Sequence, residues 1–522
     1  MTIWHPSLDS FRASSTLIYG HGSLSGPATL PSPAVLQIRT RCGSAIGEIP
    51  LVFGATACGS PHSAARRFVI YGARPAPLPD HSCEQHPLPA PRIVPPGNTI
   101  RLLFELPWQH YMRRASALIR QGQWQRLYRK LARLGKALFA RNYIPGDLLA
   151  WSAAGGNSLS LVIDHDLGGG ANKFRAGLMA MLSASSSPPV LVTAQTGLMS
   201  YRLTATQRGH TRESHCTDLD ELFALLSTHT IDSVFLNNLL SFPAPLKMVS
   251  TLATWMRATP TKPRLTILVH DYYCICPSWL LLNSALQYCG VPDPSACEHC
   301  LPANQTPLLH LAGTHDITTW RTQWQKLLAT ADEVRCFSMY SRNLMRRAYP
   351  SIDPLRLTVV PHESLHHKLR VVRVDRGTGP IVGIVGNIVH HKGSHIVRAL
   401  AERILSTGSS VKLVIVGTID EQLPAAVAQV TGPYRPTDLP NLIEESRVNI
   451  ALFPSICAET YSYVTAELME MNLPILCFDL GAPAERVRRY ERGMIISSFD
   501  VDNILDGLQR LYENQVCRGG QA

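Results

Sequence analysis

Nowhere in these 522 residues does an apolar run approach the roughly 18 residues needed to span a bilayer. The opening MTIWHPSLDSF carries neither a basic leader nor a long apolar segment, so the expected location is the cytoplasm. A disulfide framework is equally out of place: 13 cysteines, an odd number, are spread through a long chain that has no export signal. The dinucleotide fingerprint GxGxxG is missing from the glycine-rich stretch HDLGGGANKF, which argues against a dinucleotide cofactor. Acid is absent from residues 112–141, where nine residues are basic. Base is absent from AETYSYVTAELMEMNLPI, residues 458–475, which holds Glu459 and Glu467 eight positions apart. Surface helices usually pair such acids with Lys or Arg three or four residues away, so these two need another partner.

What is present divides the chain. Its length predicts about three domains, at roughly 100 to 200 residues each. Residues 1–107 alternate short β-type runs with turn-rich stretches, the rhythm of a small β-sandwich. Residues 108–150 read as a basic helical connector, with Leu118, Trp124, Leu127, Leu131, Leu134 and Leu138 as its apolar stripe. Through 108–142 this connector suits either a neighbouring domain or peripheral contact with the inner face of the plasma membrane. Beyond it, buried-type strands alternate with helices in two series, 151–375 and 376–522, divided near RVVRVDRGTG. The expected fold class is α/β, with two Rossmann-like doubly wound parallel-sheet domains facing a cleft. The net charge of +11 calls for an anionic partner: nucleic acid, a membrane surface or a phosphorylated substrate.

In open parallel sheets ligands bind beyond the carboxyl ends of the strands, so the residues that follow each strand carry the function. LSLVID runs into Gly168, Gly169 and Gly170, which leave amides free for an anion; Asp164 and Asp166 also form a DxD, a weaker metal candidate. RLTILV runs into His270, either a cleft residue or a core histidine satisfied by a carbonyl. Cys276, Cys289, Cys297 and Cys300 then follow as C-x12-C-x7-C-x2-C, a candidate structural zinc site set against simple reduced packing cysteines. PIVGIVG runs into Asn387, Lys392 and Gly393, and a lysine beside a glycine at a helix start can neutralise a phosphate. If a helix begins near Ser462, Glu459 lies in the loop before it and Glu467 about one and a half turns in. Two carboxylates flanking an anion-attracting helix start fit a ligand with hydroxyls on both sides of a phosphate, which is the shape of a nucleotide sugar.

E-x7-E at Glu459 and Glu467, HHKG, VTGPY, DLGAPAER and LGGGANKF together resemble the retaining GT-B glycosyltransferases, in particular glycosyltransferase family 4, over residues 155–515. The pieces HDYYCICPS and CEHC are similar to a bacterial cell-surface polysaccharide branch. The resemblance implies a hexosyltransferase acting with retention on a nucleotide-sugar donor and a glycan or lipid-linked acceptor, as in lipopolysaccharide synthesis, with no metal required for catalysis. It implies that Glu467 binds the donor ribose and that Glu459 contacts the donor sugar. Lys392, with backbone amides at Thr460, Tyr461, Ser462 and Tyr463, would hold the diphosphate. His270 would face the sugar, and Gly169 and Gly170 would line the cleft. Asn387 stands where many relatives carry an arginine, which removes one phosphate-binding charge. Two other readings compete: an inactive scaffold that binds a nucleotide sugar or glycan, and a basic nucleic-acid-binding protein with a zinc element. The second explains charge and cysteines but not the paired glutamates, so no nucleic-acid partner is expected.

Overall fold

A computed structural model describes strand segments between residues 5 and 73, Trp124, residues 142–143 and 145–154, and residues 158–517 apart from 196–199, 208, 217–218, 243, 363–368 and 375–378. The chain separates into two units after Phe139. In the first, β1 (His5–Ala13), β2 (Leu17–Gly26), β5 (Val52–Phe53) and β6 (Ala64–Ala73) form an antiparallel sheet in the order β1-β2-β6-β5. β3 (Val35–Arg39) and β4 (Ala45–Pro50) pair separately. Residues 74–107 and, but for Trp124, the basic helix expected at 108–142 lie outside the described residues, and with them the membrane contact assigned to that helix.

The second unit holds two α/β sheets. The first is built from β7 (Asn142–Tyr143), β8 (Leu159–Asp164), β9 (Pro189–Gln195), β10 (Ser200–Gln207), β11 (His210–Cys216), β12 (Ile231–Leu236), β13 (Arg264–Leu268), β14 (Glu333–Cys336) and β15 (Leu357–Val359). Their order is β15-β14-β13-β12-β8-β9-β10-β11-β7. Every residue of β8 is buried, as a strand covered on both faces requires. Leu161 and Ile163 enter one core, while Val162 enters another with Leu178 and Leu182 of the helix Gly169–Ser183.

This sheet departs from the expected all-parallel one. β10 runs antiparallel to both β9 and β11, so a hairpin extends the parallel core. The reason is visible in the residues: Tyr201, Leu203 and Ala205 are buried while Arg202, Thr204 and Thr206 are not, the alternation of a strand with one wet face. Such a strand has no continuous apolar run by which to be noticed.

The second sheet is wholly parallel. β16 (Ile381–Ile388), β17 (Lys412–Ile419), β18 (Ala428–Val430), β19 (Ile450–Phe453), β20 (Ile475–Phe478) and β21 (Gly493–Ile496) lie in the order β18-β17-β16-β19-β20-β21. Alternate residues again feed two cores: Ile450 and Leu452 one, Ala451 and Phe453 the other. Chain order reverses between β8 and β12 in the first sheet and between β16 and β19 in the second. Each reversal opens a crevice at the strand ends, which is where ligands are bound in such folds.

Candidate active site

At the first crevice, β8 delivers Asp164, His165 and Asp166. Asp164 is fully buried; burial raises its carboxyl to about 6, against the opposing pull of Asn237, Arg175 and Asn172. Arg175 lies 3.1 Å from Asp164, and Arg202 lies 2.8 Å from Asp166. Both carboxylates of the DxD are thus held by arginines, an arrangement that anchors the glycine loop and presents no paired oxygens to a cation. Gly169 and Gly170 open the next helix, and a Cβ added to Gly170 would stand 3.3 Å from the ring of Tyr463.

β12 and β13 end on two adjacent pairs. Asn237 Oδ1 is 2.9 Å from His270 Nε2, and Asn238 Nδ2 donates to Asp271 at 2.8 Å. His270 stacks on Phe337 with centroids 4.6 Å apart and meets the edge of Phe174 at 4.9 Å. Burial, and the neighbouring His362 and His165, hold this imidazole well below 6.5.

At the second crevice, the turn His390–Lys392 leads into Gly393, whose φ is +81°. A side chain there would meet Pro454: an added Cβ would lie 2.1 Å from the Pro454 carbonyl oxygen. Ile456 N–H donates to the His391 carbonyl at 3.1 Å, so the loop bearing Lys392 is seated on the loop bearing Glu459. The buried Cys457 thiol, pushed up to about 12 mainly by burial, is raised further by Glu459 and lowered by Lys392, which places both charges beside it. Asn387 is exposed, and its Oδ1 accepts from Thr418 Oγ1 at 2.6 Å.

The helix Tyr463–Glu470 starts where expected. Ser462 is its N-cap, at a left-handed φ of 70°, with Oγ accepting from Thr465 N–H at 3.3 Å. Among the described residues the backbone N–H groups of Thr460, Tyr461, Ser462 and Tyr463 donate no hydrogen bond. Glu459 sits before the cap and its Oε1, though buried, has no partner among the described residues. Glu467 is 6% exposed; desolvation raises its carboxyl, and Lys173 Nζ, 3.6 Å away, opposes that rise.

The two crevices face one another across several contacts. Thr460 Oγ1 donates to the His270 carbonyl at 2.8 Å. His362 stacks on Tyr461 at 4.2 Å and shares a 2.7 Å hydrogen bond with the Tyr463 hydroxyl. Tyr461 is buried with Val162 and Leu268 of the first sheet and with Phe337, just past β14, and Arg486 lies 4.7 Å over its ring. Lys173, besides pairing with Glu467, sits 4.3 Å over the Tyr463 ring. Glu485 accepts from Tyr340 N–H at 3.1 Å, at the start of the helix Met339–Ala348.

His270, Gly169, Gly170, Lys392, Gly393, Glu459, Thr460 through Tyr463, and Glu467 therefore all lie at the two crevices, with Asn387 at the end of β16. Lys173, Asn237, His362 and Arg486 join them without having been singled out. Lys173 and Arg486 fall inside LGGGANKF and DLGAPAER, so the signal was in motifs already noted. The zinc expectation is corrected. Cys276, Cys289, Cys297 and Cys300 are free thiols, and among the described residues no three His, Cys, Asp or Glu side chains are grouped to hold a metal. Burial raises the thiols of Cys276, Cys289 and Cys297, and neighbouring cysteines of the same set raise each of them further.

With this geometry in hand, residues 379–514 match the family described as Glycosyl transferases group 1. This carboxy-terminal segment is that of a group 1 glycosyltransferase. The match includes Glu459 and Glu467 and agrees with the retaining glycosyltransferase family that the E-x7-E resemblance implied. No curated protein matches this glycosyltransferase. Among solved structures, the lipopolysaccharide outer core galactosyltransferase WaaB in its apo form is 10% identical, with 69% of this chain and 91% of that one covered and a TM-score of 0.44. Anabaena HepE in complex with UDP and glucose is 12% identical, with 68% and 95% covered and a TM-score of 0.41. Sucrose-phosphate synthase from Thermosynechococcus elongatus is 14% identical, with 68% and 89% covered and a TM-score of 0.45.

Proposed function

We propose that this glycosyltransferase moves a sugar from a nucleoside-diphosphate donor onto a glycan or lipid-linked acceptor in cell-surface polysaccharide synthesis. In this scheme Glu467 takes the ribose hydroxyls and Glu459 the donor sugar. The diphosphate is held between Lys392 and the open amides of Thr460 to Tyr463. The observation that carries the reading is Glu459 Oε1, buried and without a partner among the described residues. An unsatisfied buried carboxylate oxygen costs on the order of 1 to 3 kcal/mol or more, and a ligand hydroxyl arriving there relieves it.

The chemistry asked of the protein is positioning and charge stabilisation. The leaving diphosphate accepts the proton of the attacking acceptor hydroxyl on the same face, which gives retention without an enzymic nucleophile. Amides at the Ser462 cap and Lys392 stabilise the departing negative charge, and closure of the two crevices excludes water. No step requires a metal, and the arginine-held Asp164 and Asp166 support that. A screen of nucleotide-sugar donors against a panel of glycan and lipid-linked acceptors, with and without chelator, tests this reading. Release of nucleoside diphosphate that depends on one donor and one acceptor, unaffected by chelator, supports it. Absence of product across the panel, with donor binding intact, would favour the inactive scaffold.

A further inference from the structure

We propose that Asn237 is a positioning residue that fixes His270 as its Nε2–H tautomer and so presents a bare Nδ1 to the ligand as a hydrogen-bond acceptor. Asn237 stands at the end of β12, 1% exposed, with its backbone N–H on the Ile163 carbonyl at 2.8 Å. Its amide nitrogen donates to the Ala171 carbonyl at 3.3 Å, and its side chain also hydrogen-bonds the Asp164 carboxylate. A backbone carbonyl can only accept, so the nitrogen faces Ala171 and the oxygen is left pointing at His270. An amide oxygen in turn only accepts, so at 2.9 Å His270 Nε2 must carry the proton.

Burial keeps the ring neutral. Phe337 and Phe174 cover it, and the nearby His362 and His165 oppose its charge. Those two are themselves held to about 3 and about 4, largely by burial, with Arg486 and Lys173 facing His362 and Arg175 facing His165. Asp271, next in the chain, is engaged by Asn238 and by Tyr273 N–H. With Nε2 spent on Asn237, Nδ1 holds a free lone pair and has no partner among the described residues. A ligand group that meets Nδ1 must therefore donate: a sugar hydroxyl fits, and a fluorine or ring oxygen does not. The assignment of that ligand rests on the donor-cleft reading above.

The test uses the full chain with ring-15N-labelled histidine. Nitrogen shifts should place His270 in the Nε2–H form in the wild type and in a tautomer mixture in Asn237→Ala. In the near-isosteric Asn237→Asp, a carboxylate beside Nε2 favours the imidazolium, which has no free acceptor. Transfer by that variant should fall about tenfold or more at pH 6.5 and recover above pH 8, with the affinity for nucleoside diphosphate alone unchanged. An Nδ1–H tautomer in the wild type, or an Asn237→Asp pH profile superimposable on the wild type, would overturn the proposal alone. The assigned tautomer combined with wild-type transfer by His270→Ala would overturn the placement of a ligand at Nδ1, and the donor-cleft reading with it.

Discussion

Replacing Gly393 with alanine perturbs a place where the Lys392 loop is pressed backbone to backbone against the loop that leads to Glu459. Two costs add. The φ of +81° lies in the left-handed region, which charges an L side chain about 1 to 2 kcal/mol. The new Cβ would also stand 2.1 Å from the Pro454 carbonyl oxygen, which must retreat by more than an ångström, and overpacking of this kind costs roughly 1 to 3 kcal/mol. Gly408→Ala is the internal control, because its φ of +66° is similar but no atom lies within 4 Å of the added Cβ. Urea unfolding should therefore show a loss of about 1 to 2 kcal/mol for Gly408→Ala and about 2 to 5 kcal/mol for Gly393→Ala. Because Pro454 leads into the loop that carries Glu459, a shift of about 1 Å there should also slow transfer about 100-fold in Gly393→Ala alone. Equal stability losses in the two variants, with equal transfer rates, would refute the reasoning that the close approach seats the two loops.

Two further outcomes follow from charge. Lys173 and Glu467 should couple by about 1 kcal/mol in a double-mutant cycle of alanine variants read by denaturation, and zero coupling would mean that the 3.6 Å pair contributes nothing. Stability should fall as pH drops from 7 to 5. His165, His362 and His391 are held to about 4, 3 and 4, below the free value of 6.5, so their contribution is complete above pH 6.5 and drains on acidification, by about 2 kcal/mol each at pH 5. Asp164 and Asp271, raised to about 6, act with the opposite sign, because the folded state binds their protons first; together they return about 2 to 3 kcal/mol at pH 5. The histidines win, and a stability that rises between pH 7 and pH 5 would contradict these assignments.

The strands that could be read from the sequence were those buried on both faces. LSLVID, NIALF and ILCF declare themselves as continuous apolar runs, and each is a strand here. β10 and β11 were missed because a half-wet hairpin hides its apolar residues among Arg, Thr and Glu. In the site, local grammar was legible: Ser462 caps the helix, and the eight-residue spacing puts Glu459 before the cap and Glu467 inside. What local grammar cannot carry is a partner from another part of the chain. Lys173 lies 294 positions before Glu467 and His362 lies 99 before Tyr461, and only folding brings them together. The same limit governed the cysteines, whose spacing suggested ligands, while among the described residues the fold forms no group of three that could hold a metal.

The central claim is that Glu459 and Glu467 form a donor site around the Ser462 helix start. Isothermal titration of the wild type, Glu459→Ala and Glu467→Ala with the nucleotide sugar found by the donor screen tests it most directly. The account predicts that Glu467→Ala loses donor binding, while Glu459→Ala still binds but transfers slowly. Unchanged donor affinity in Glu467→Ala would contradict it.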